Sequence, residues 1–253
     1  MPMKTLVIIP SRLAATRLPG KPVLKINGLS IISHVFKRAQ ESNVGDVIVA
    51  TENMEILEDV KKNGGQAILT KNNHKTGTDR IHEVLEKIDS SKIDFVMNVQ
   101  GDEPLISKKD INDLNDKMIK NESQLGTLAS KILNKKLYEN ENVVKVQTKE
   151  ELDNLNFPQA LNFSRNFGQL SENIYQHKGI YCYKLETLKN FVSYKQTDNE
   201  IKENLEQLRA IDNKIKINVA LSESSSIGID TEEDYLAIKK IMEYKTWWEK
   251  FIF

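Results

Sequence analysis

The chain has 253 residues, with 36 Lys and Arg against 36 Asp and Glu and hence no net charge, so no global field draws it to nucleic acid or to an anionic membrane. With 39% hydrophobic residues, a chain this long buries roughly 70–75% of the surface its unfolded form exposes, which excludes disorder as its main state. Its single cysteine, Cys182, has no partner for an internal disulfide, and no group of Cys and His has zinc-ligand spacing; a reducing cytoplasm fits this usage.

In chain order, the first apolar run, Leu6–Ile9, is cut off by Pro10; a secretory leader needs about 7–15 apolar residues, so the run reads as a strand. No transmembrane segment is expected, because nowhere do about 18 apolar residues follow one another. Further strands are predicted at Val47–Thr51, Ala67–Thr70 and Phe95–Val99, alternating with helices at Ile31–Glu41, Glu55–Lys62 and Asp79–Ile88 and followed by a helix at Asp110–Lys120. This rhythm predicts an α/β fold with a mostly parallel sheet and helices on both faces, whose chemistry collects at the C-terminal ends of the strands.

Past residue 125 the rhythm loosens. Strands are predicted at Gly126–Ile132, Val143–Gln147, Lys178–Tyr183 and Ile215–Leu221, and the polar stretch Phe157–Tyr175 reads as part of an excursion at about 133–177, a lid or dimer arm inserted into a single domain spanning 1–253. One helix is expected at Asn199–Ile211, with Ile201, Leu205, Leu208 and Ile211 facing inward, and a closing helix at Thr231–Lys250. The aromatic tail Thr246–Phe253 is expected to dock on its own protein or a second subunit, with a lipid interface as the alternative.

The loop after the first strand, Pro10–Pro22, places Arg12, Arg17 and Lys21 together between prolines. A neutral protein gains little from crowding like charges unless something anionic sits among them; guanidinium forks match phosphate oxygens, so a nucleoside triphosphate fits better than a solvated basic loop. No G-x-G-x-x-G or G-x-x-x-x-G-K-[ST] run accompanies it, which argues against the dinucleotide and P-loop modes of phosphate binding. The fourth strand runs into Gln100-Gly101-Asp102-Glu103-Pro104. There Asp102 is either a turn aspartate or a ligand for Mg²⁺, an ion held by one or two carboxylates together with phosphate oxygens. Asp230 is either its companion carboxylate or a cap of the last helix, a role open to Thr231 as well.

Thr76–Arg80 opens the third helix and has the residue types of an ordinary cap, or of a site for phosphate or a base edge. His177, Gly179, Tyr181 and Tyr183 alternate onto one strand face, which either binds sugar hydroxyls or is packed, while Cys182 points away as inert core. Glu206-Gln207-Leu208-Arg209 reads as part of a helix that solvation alone explains almost as well as ligand binding.

Together, Pro10–Pro22, Thr76–Arg80, Asn98–Pro104, Phe163-Ser164-Arg165, His177–Tyr183, Leu205–Arg209 and Gly228–Asp234 resemble, in order and rough spacing, the 3-deoxy-manno-octulosonate (Kdo) cytidylyltransferases. The resemblance runs from Leu6 to about Ile241. It implies a Rossmann-like nucleotidyltransferase sheet with an inserted lid or dimerisation excursion, a single catalytic domain, a homodimer, and synthesis of CMP-Kdo and pyrophosphate from CTP and Kdo for lipopolysaccharide. It further implies that Arg12, Arg17 and Lys21 hold the triphosphate, that Thr78, Arg80 and Gln100 surround the cytosine nucleotide, and that Asp102 and Asp230 hold Mg²⁺. Arg12, Lys21, Asp102 and Asp230 would then be catalytic, and Arg165, His177, Tyr181, Glu206 and Gln207 would form the sugar pocket. After Arg165 the sequence departs from the family's usual Pro-Trp-like segment, running Asn166-Phe167-Gly168-Gln169. The rival readings are a cytidylyltransferase for another acidic sugar (sialic acid or amino-Kdo), a nucleotide-sugar glycosyltransferase, and a catalytically silent binding protein.

Overall fold

In chain order the elements are β1 (Thr5–Ser11), a 3-10 turn (Lys21–Val23), β2 (Lys25–Ile26), β3 (Leu29–Ser30), α1 (Ile31–Glu41), β4 (Gly45–Thr51), α2 (Met54–Lys62), β5 (Gln66–Leu69), α3 (Gly77–Lys87), β6 (Phe95–Asn98) and α4 (Lys108–Asn121). They continue with β7 (Leu125–Ser130), α5 (Lys135–Glu139), β8 (Lys145–Thr148), β9 (Ala160–Ser164), β10 (Ile174–Lys184), α6 (Leu185–Ser193), α7 (Asp198–Glu203), α8 (Leu208–Asp212), β11 (Ile217–Leu221) and α9 (Glu232–Glu249). This computed structural model describes residues 3–14, 17–167, 171–224 and 228–249, with side chains as far as Tyr244 in α9. The chain divides into two units: unit 1 comprises residues 1–6, 88–98 and 109–224, and unit 2 comprises residues 7–87, 99–108 and 225–253.

In unit 2, β1 neighbours β4, and β4 pairs with β5 in parallel, with Val49 opposite Ala67. Val7, Ile8 and Ile9 are all fully buried, as expected of a strand covered on both faces. Helix α1 forms because Ile31, Ile32, Val35, Phe36 and Ala39 make one apolar stripe, and because the Ser30 hydroxyl caps it by accepting from the Ser33 N–H at 3.2 Å. Before it, Asn27 (φ 49°) and Gly28 (φ 80°) close the β2–β3 hairpin; both central residues need positive φ, the requirement that Asn-Gly meets. Ile26 of this hairpin packs with Ile31, Ile229, Ile238 and Met242, which fastens the segment ahead of α9 to the hairpin that follows the Lys21 turn.

In unit 1 the strand order is β11-β7-β10-β6, with β8 paired to β10 and β9 to β8. Strand β11 is parallel to β7, whereas β10 runs antiparallel to β6, β7 and β8. The predicted excursion contains α5, β8 and β9 and leads into β10, so it is built on antiparallel pairing. Lys145 is buried there, and its ammonium donates to the carbonyls of Asn140 (2.8 Å) and Arg165 (2.5 Å). Burial pushes its pKa down.

The single helix expected at Asn199–Ile211 is two helices. Asn204 takes the left-handed conformation (φ 52°, ψ 48°) and ends α7, so Glu206 and Gln207 lie between α7 and α8. Ile201, expected to face inward, is 63% exposed, while Leu205 and Leu208 are buried. The break exists because Thr197 and Glu200 form a capping box at one end of a six-residue helix and Asn204 closes the other. The side chains of Trp247 and Trp248, residues 250–253, and Gly168 and Gln169 in the segment after Arg165 lie outside the described part. Among the described residues no helix is long and apolar enough to cross a membrane.

Candidate functional site

The predicted nucleotide residues all belong to unit 2. Strand β1 delivers Pro10 to the start of the basic loop, and two glycines let other segments approach it: a Cβ on Gly101 would stand 2.9 Å from the Pro10 carbonyl oxygen, and one on Gly77 would stand 3.2 Å from the Pro10 ring. The loop is closed by a hydrogen bond from the Gly20 N–H to the Leu13 carbonyl (3.2 Å) and held at its near end by the Leu13 N–H donating to Asn53 Oδ1 (3.0 Å). Lys21 then stands at the first position of the 3-10 turn.

The Lys21 ammonium gathers the two predicted carboxylates. It donates to Asp102 Oδ2 at 2.7 Å and to the Ile229 carbonyl at 2.5 Å, and it lies 3.5 Å from Asp230 Oδ1. Arg17 Nη2 pairs with the other oxygen of Asp230 at 3.1 Å. The backbone fixes the arrangement, since the Ile229 N–H donates to the Asp102 carbonyl at 2.9 Å while the Ile229 side chain is buried. Lys21 is 13% exposed and Asp102 29%, against 61% for Arg17 and 50% for Asp230, so the cluster opens to water on the Arg17 side. Arg12 is exposed.

The start of α9 assigns the cap to Thr231 and not to Asp230. Thr231 caps the helix by accepting from the Asp234 N–H (3.2 Å), and Asp234 returns the bond by accepting from the N–H groups of Thr231 (2.9 Å) and Asp230 (3.1 Å). Desolvation opposes ionisation of Asp234, but these donors prevail and hold its pKa below the usual carboxylate value. The Asp230 carboxylate is left to face Lys21 and Arg17. Two carboxylates around one cationic head, both reached by water, form the donor set that Mg²⁺ takes when phosphate oxygens and waters complete its shell.

At α3, Thr76 accepts from the Asp79 N–H (3.1 Å) and Asp79 accepts from the Thr76 N–H (3.2 Å), so the expected cap is present. Thr78 and Arg80 are buried and Gln100 is half-buried. The Arg80 guanidinium is bound inside the protein to Glu52, to the Thr70 hydroxyl and to the Lys71 carbonyl. Nothing local in the sequence signals this use of Glu52, whose partner lies 28 residues away.

The predicted sugar residues all belong to unit 1. Along β10 the register shifts between Lys178 and Tyr181, so that Gly179 and Ile180 bulge out of the ladder. The shift preserves the alternation: His177, Tyr181 and Tyr183 form a row of rings with centroid separations of 5.4 and 6.1 Å, and Phe163 meets His177 edge-on at 5.2 Å. His177 Nε2 lies 3.0 Å from the Thr127 hydroxyl. Burial lowers its pKa to about 3 and raises that of Tyr181 well above its ordinary value, so both are neutral at physiological pH. Cys182 is buried on the other side with its thiol pKa pushed up, in keeping with inert core. Arg165 is half-buried and donates to the carbonyls of Glu141 (3.2 Å) and Asn142 (3.4 Å).

Gln207 is buried just ahead of α8, at its N-cap, and Glu206 beside it is half-buried. Arg209 of the same motif is structural: Nε and Nη2 donate to the two oxygens of Glu200 at 2.8 and 2.5 Å, and the guanidinium lies 4.7 Å from the centre of the Phe191 ring. This buried pair ties α8 to α7 and fixes the bend that presents Glu206 and Gln207.

The cytidylyltransferase family profile matches residues 6–217. The 3-deoxy-manno-octulosonate cytidylyltransferase of Thermodesulfovibrio yellowstonii is 41% identical over 251 residues, covering 95% of this chain and 98% of the relative. That of Fusobacterium nucleatum is 40% identical, covering 96% and 97%. Among solved structures, a CMP:2-keto-3-deoxy-manno-octonic acid synthetase complexed with CTP superposes with a TM-score of 0.87 at 32% identity, covering 96% of this chain and 99% of the other. With this fold, cluster and similarity along nearly the whole sequence, the chain belongs to the cytidylyltransferase family, and within it to the 3-deoxy-manno-octulosonate cytidylyltransferases.

Proposed function

We infer that the protein activates Kdo with CTP, giving CMP-Kdo and pyrophosphate for lipopolysaccharide synthesis. The observation that carries this reading is the Lys21 ammonium bonded between Asp102 and Asp230 at the end of a basic loop, the charge pattern a triphosphate and its counter-ion require. The anomeric hydroxyl of the sugar attacks the α-phosphorus in line and gives up its proton to water, the new O–P bond forms as the bond to the β-phosphate's bridging oxygen breaks, and that oxygen leaves with the electron pair on pyrophosphate. Such a reaction asks for positioning and charge neutralisation more than covalent work. Arg12, Arg17 and Lys21 bind the triphosphate. Asp102 and Asp230 would hold Mg²⁺, which offsets negative charge on the phosphate oxygens when bound.

Thr78, Arg80 and Gln100 frame the cytosine nucleotide, with Arg80 acting through the segment it anchors, since its guanidinium is already committed to Glu52, Thr70 and Lys71. Gln207, Glu206, Tyr181, His177 and Arg165 take the acidic sugar, with His177 contributing as a neutral hydrogen-bonding group. We place the protein in the cytoplasm as a homodimer; Leu133 and Leu161, which expose apolar surface within the excursion, support pairing there.

The test is pyrophosphate release from CTP, UTP and ATP, with Kdo, amino-Kdo, a sialic acid or no sugar. A site that hydrogen-bonds an exocyclic base group rejects analogues lacking it, so the expected order is CTP above UTP above ATP, with Kdo required. Faster release with sialic acid or amino-Kdo would assign the other acidic sugar, and equal turnover of ATP and CTP would end the cytidylyl reading.

A further inference from the structure

The three donors of the Lys21 ammonium have three acceptors around them: Asp102 Oδ2 at 2.7 Å, the Ile229 carbonyl at 2.5 Å and Asp230 Oδ1 at 3.5 Å. A divalent ion shared by these carboxylates must approach their oxygens to about 2.0–2.1 Å, which puts it where the ammonium now stands. The two cannot occupy that place together. Charge points the same way: Asp102 and Asp230 are balanced by Lys21 and Arg17, so these four side chains together exert little net pull on a free cation.

We propose that Lys21 closes the cation position between Asp102 and Asp230 in the nucleotide-free protein, and that a nucleotide triphosphate opens it by drawing Lys21 onto phosphate oxygens. Tight divalent-cation binding therefore follows nucleotide binding. The proposal rests on the reading above of both carboxylates as metal ligands. The parts that move and stay are distinguishable: Lys21 carries a compact charge on a flexible four-carbon stem, while Asp102 is held by the backbone bond from Ile229. Once the triphosphate has taken both basic side chains, two uncompensated carboxylates and the phosphate oxygens face one another, an arrangement that a divalent ion relieves. By linkage, the ion then strengthens nucleotide binding by the same factor by which the nucleotide strengthens ion binding.

The experiment measures Mn²⁺ binding to the full chain without nucleotide, from the paramagnetic resonance signal of free Mn²⁺. Lys21→Met should bind Mn²⁺ at least about tenfold more tightly than the wild type, because an opposing charge within a few ångströms has gone, and adding Asp102→Asn should remove the gain. Lys21→Arg, which keeps a cation there, should stay near the wild type; Lys21→Gln replaces Lys21→Met if the latter does not fold. A companion titration compares the wild type with Asp102→Asn at equal CTP without sugar, so that the nucleotide's own hold on Mn²⁺ cancels. If both neutral variants bind as weakly as the wild type while Asp102→Asn weakens binding in the presence of CTP, closure by Lys21 is overturned and the metal assignment stands. If Asp102→Asn changes nothing in either state, the metal assignment falls, and closure by Lys21 with it.

Discussion

Unit 2 and unit 1 carry polar residues under opposite conditions. In unit 2, Arg17, Lys21, Asp102 and Asp230 are charged, linked to one another and open to water on one side. In unit 1, His177 and Tyr181 are neutral in a row of packed rings, and the full charges of Glu200 and Arg209 are buried as a matched pair. The first arrangement is free to exchange partners for an arriving anion, because each charge can be compensated by something else. The second has little freedom to do so, since a buried charge or hydrogen-bonding group left without its partner is costly. Under the proposed function, charge exchange would serve the triphosphate, and the rigid surroundings of His177 and Tyr181 would serve discrimination among sugars.

The sharpest way to break this contrast is to remove one half of the buried pair. Arg209→Ala leaves Glu200 buried and uncompensated and should cost about 3–5 kcal/mol of stability in a denaturant titration. Lys109→Ala, which removes an exposed i,i+4 partner of Asp113, should cost under about 1 kcal/mol. Similar losses in both variants would erase the distinction.

The next effect lies in unit 2. Asp230→Asn should lower kcat about 10²–10³-fold, the usual loss for a group acting on transition-state charge, with the melting temperature nearly unchanged because Thr231 is the cap. Asp102→Asn should behave alike, and near-full activity of Asp230→Asn at limiting Mg²⁺ would remove Asp230 from the ligand set.

A further effect distinguishes the neutral row by pH. The folded pKa of His177 is lowered from 6.5 to about 3, so between those values the unfolded chain binds the extra proton and the folded one does not. Stability therefore falls as pH drops from 6.5 toward 3, by at most about 1.4 kcal/mol per pH unit. His177→Gln should flatten this part of the stability profile; an unchanged profile would mean that the ring is open to protons.

What the sequence made legible follows from how local each signal is. The strands and helices of the first β–α repeats were readable because apolar spacing reports a single element, and the α1 bounds, Ile31–Glu41, match the expectation. The cations of one loop and the carboxylate after β6 were singled out from local sequence for the same reason, whereas the meeting of Lys21 with Asp102 and Asp230 joins residues 81 and 209 positions apart. Strand β9 was missed because Ala160–Ser164 exposes Leu161 and Asn162 and lacks an alternating apolar face, and α6 and the short α5 were missed as well. The β2–β3 hairpin was also missed, although Asn27-Gly28 between apolar residues was a usable signal. The break at Asn204 hides in the sequence because Leu205 and Leu208 continue a helical spacing across it. The partners of Arg80 and Arg209 are tertiary: nothing local distinguishes a buried bracing arginine from one that meets a ligand.

The most direct test of the division between the units is a pair of KM measurements on two variants. Arg12→Gln removes an exposed cation from the loop of unit 2, and Gln207→Ala removes a buried amide from unit 1. A charge-assisted contact is worth about 1.5–3 kcal/mol and a neutral one about 1 kcal/mol. Arg12→Gln should therefore raise the KM for CTP by about tenfold or more with little change for Kdo, and Gln207→Ala should raise the KM for Kdo by about fivefold with little change for CTP. If each variant moves both constants equally, the two units do not divide the substrates between them.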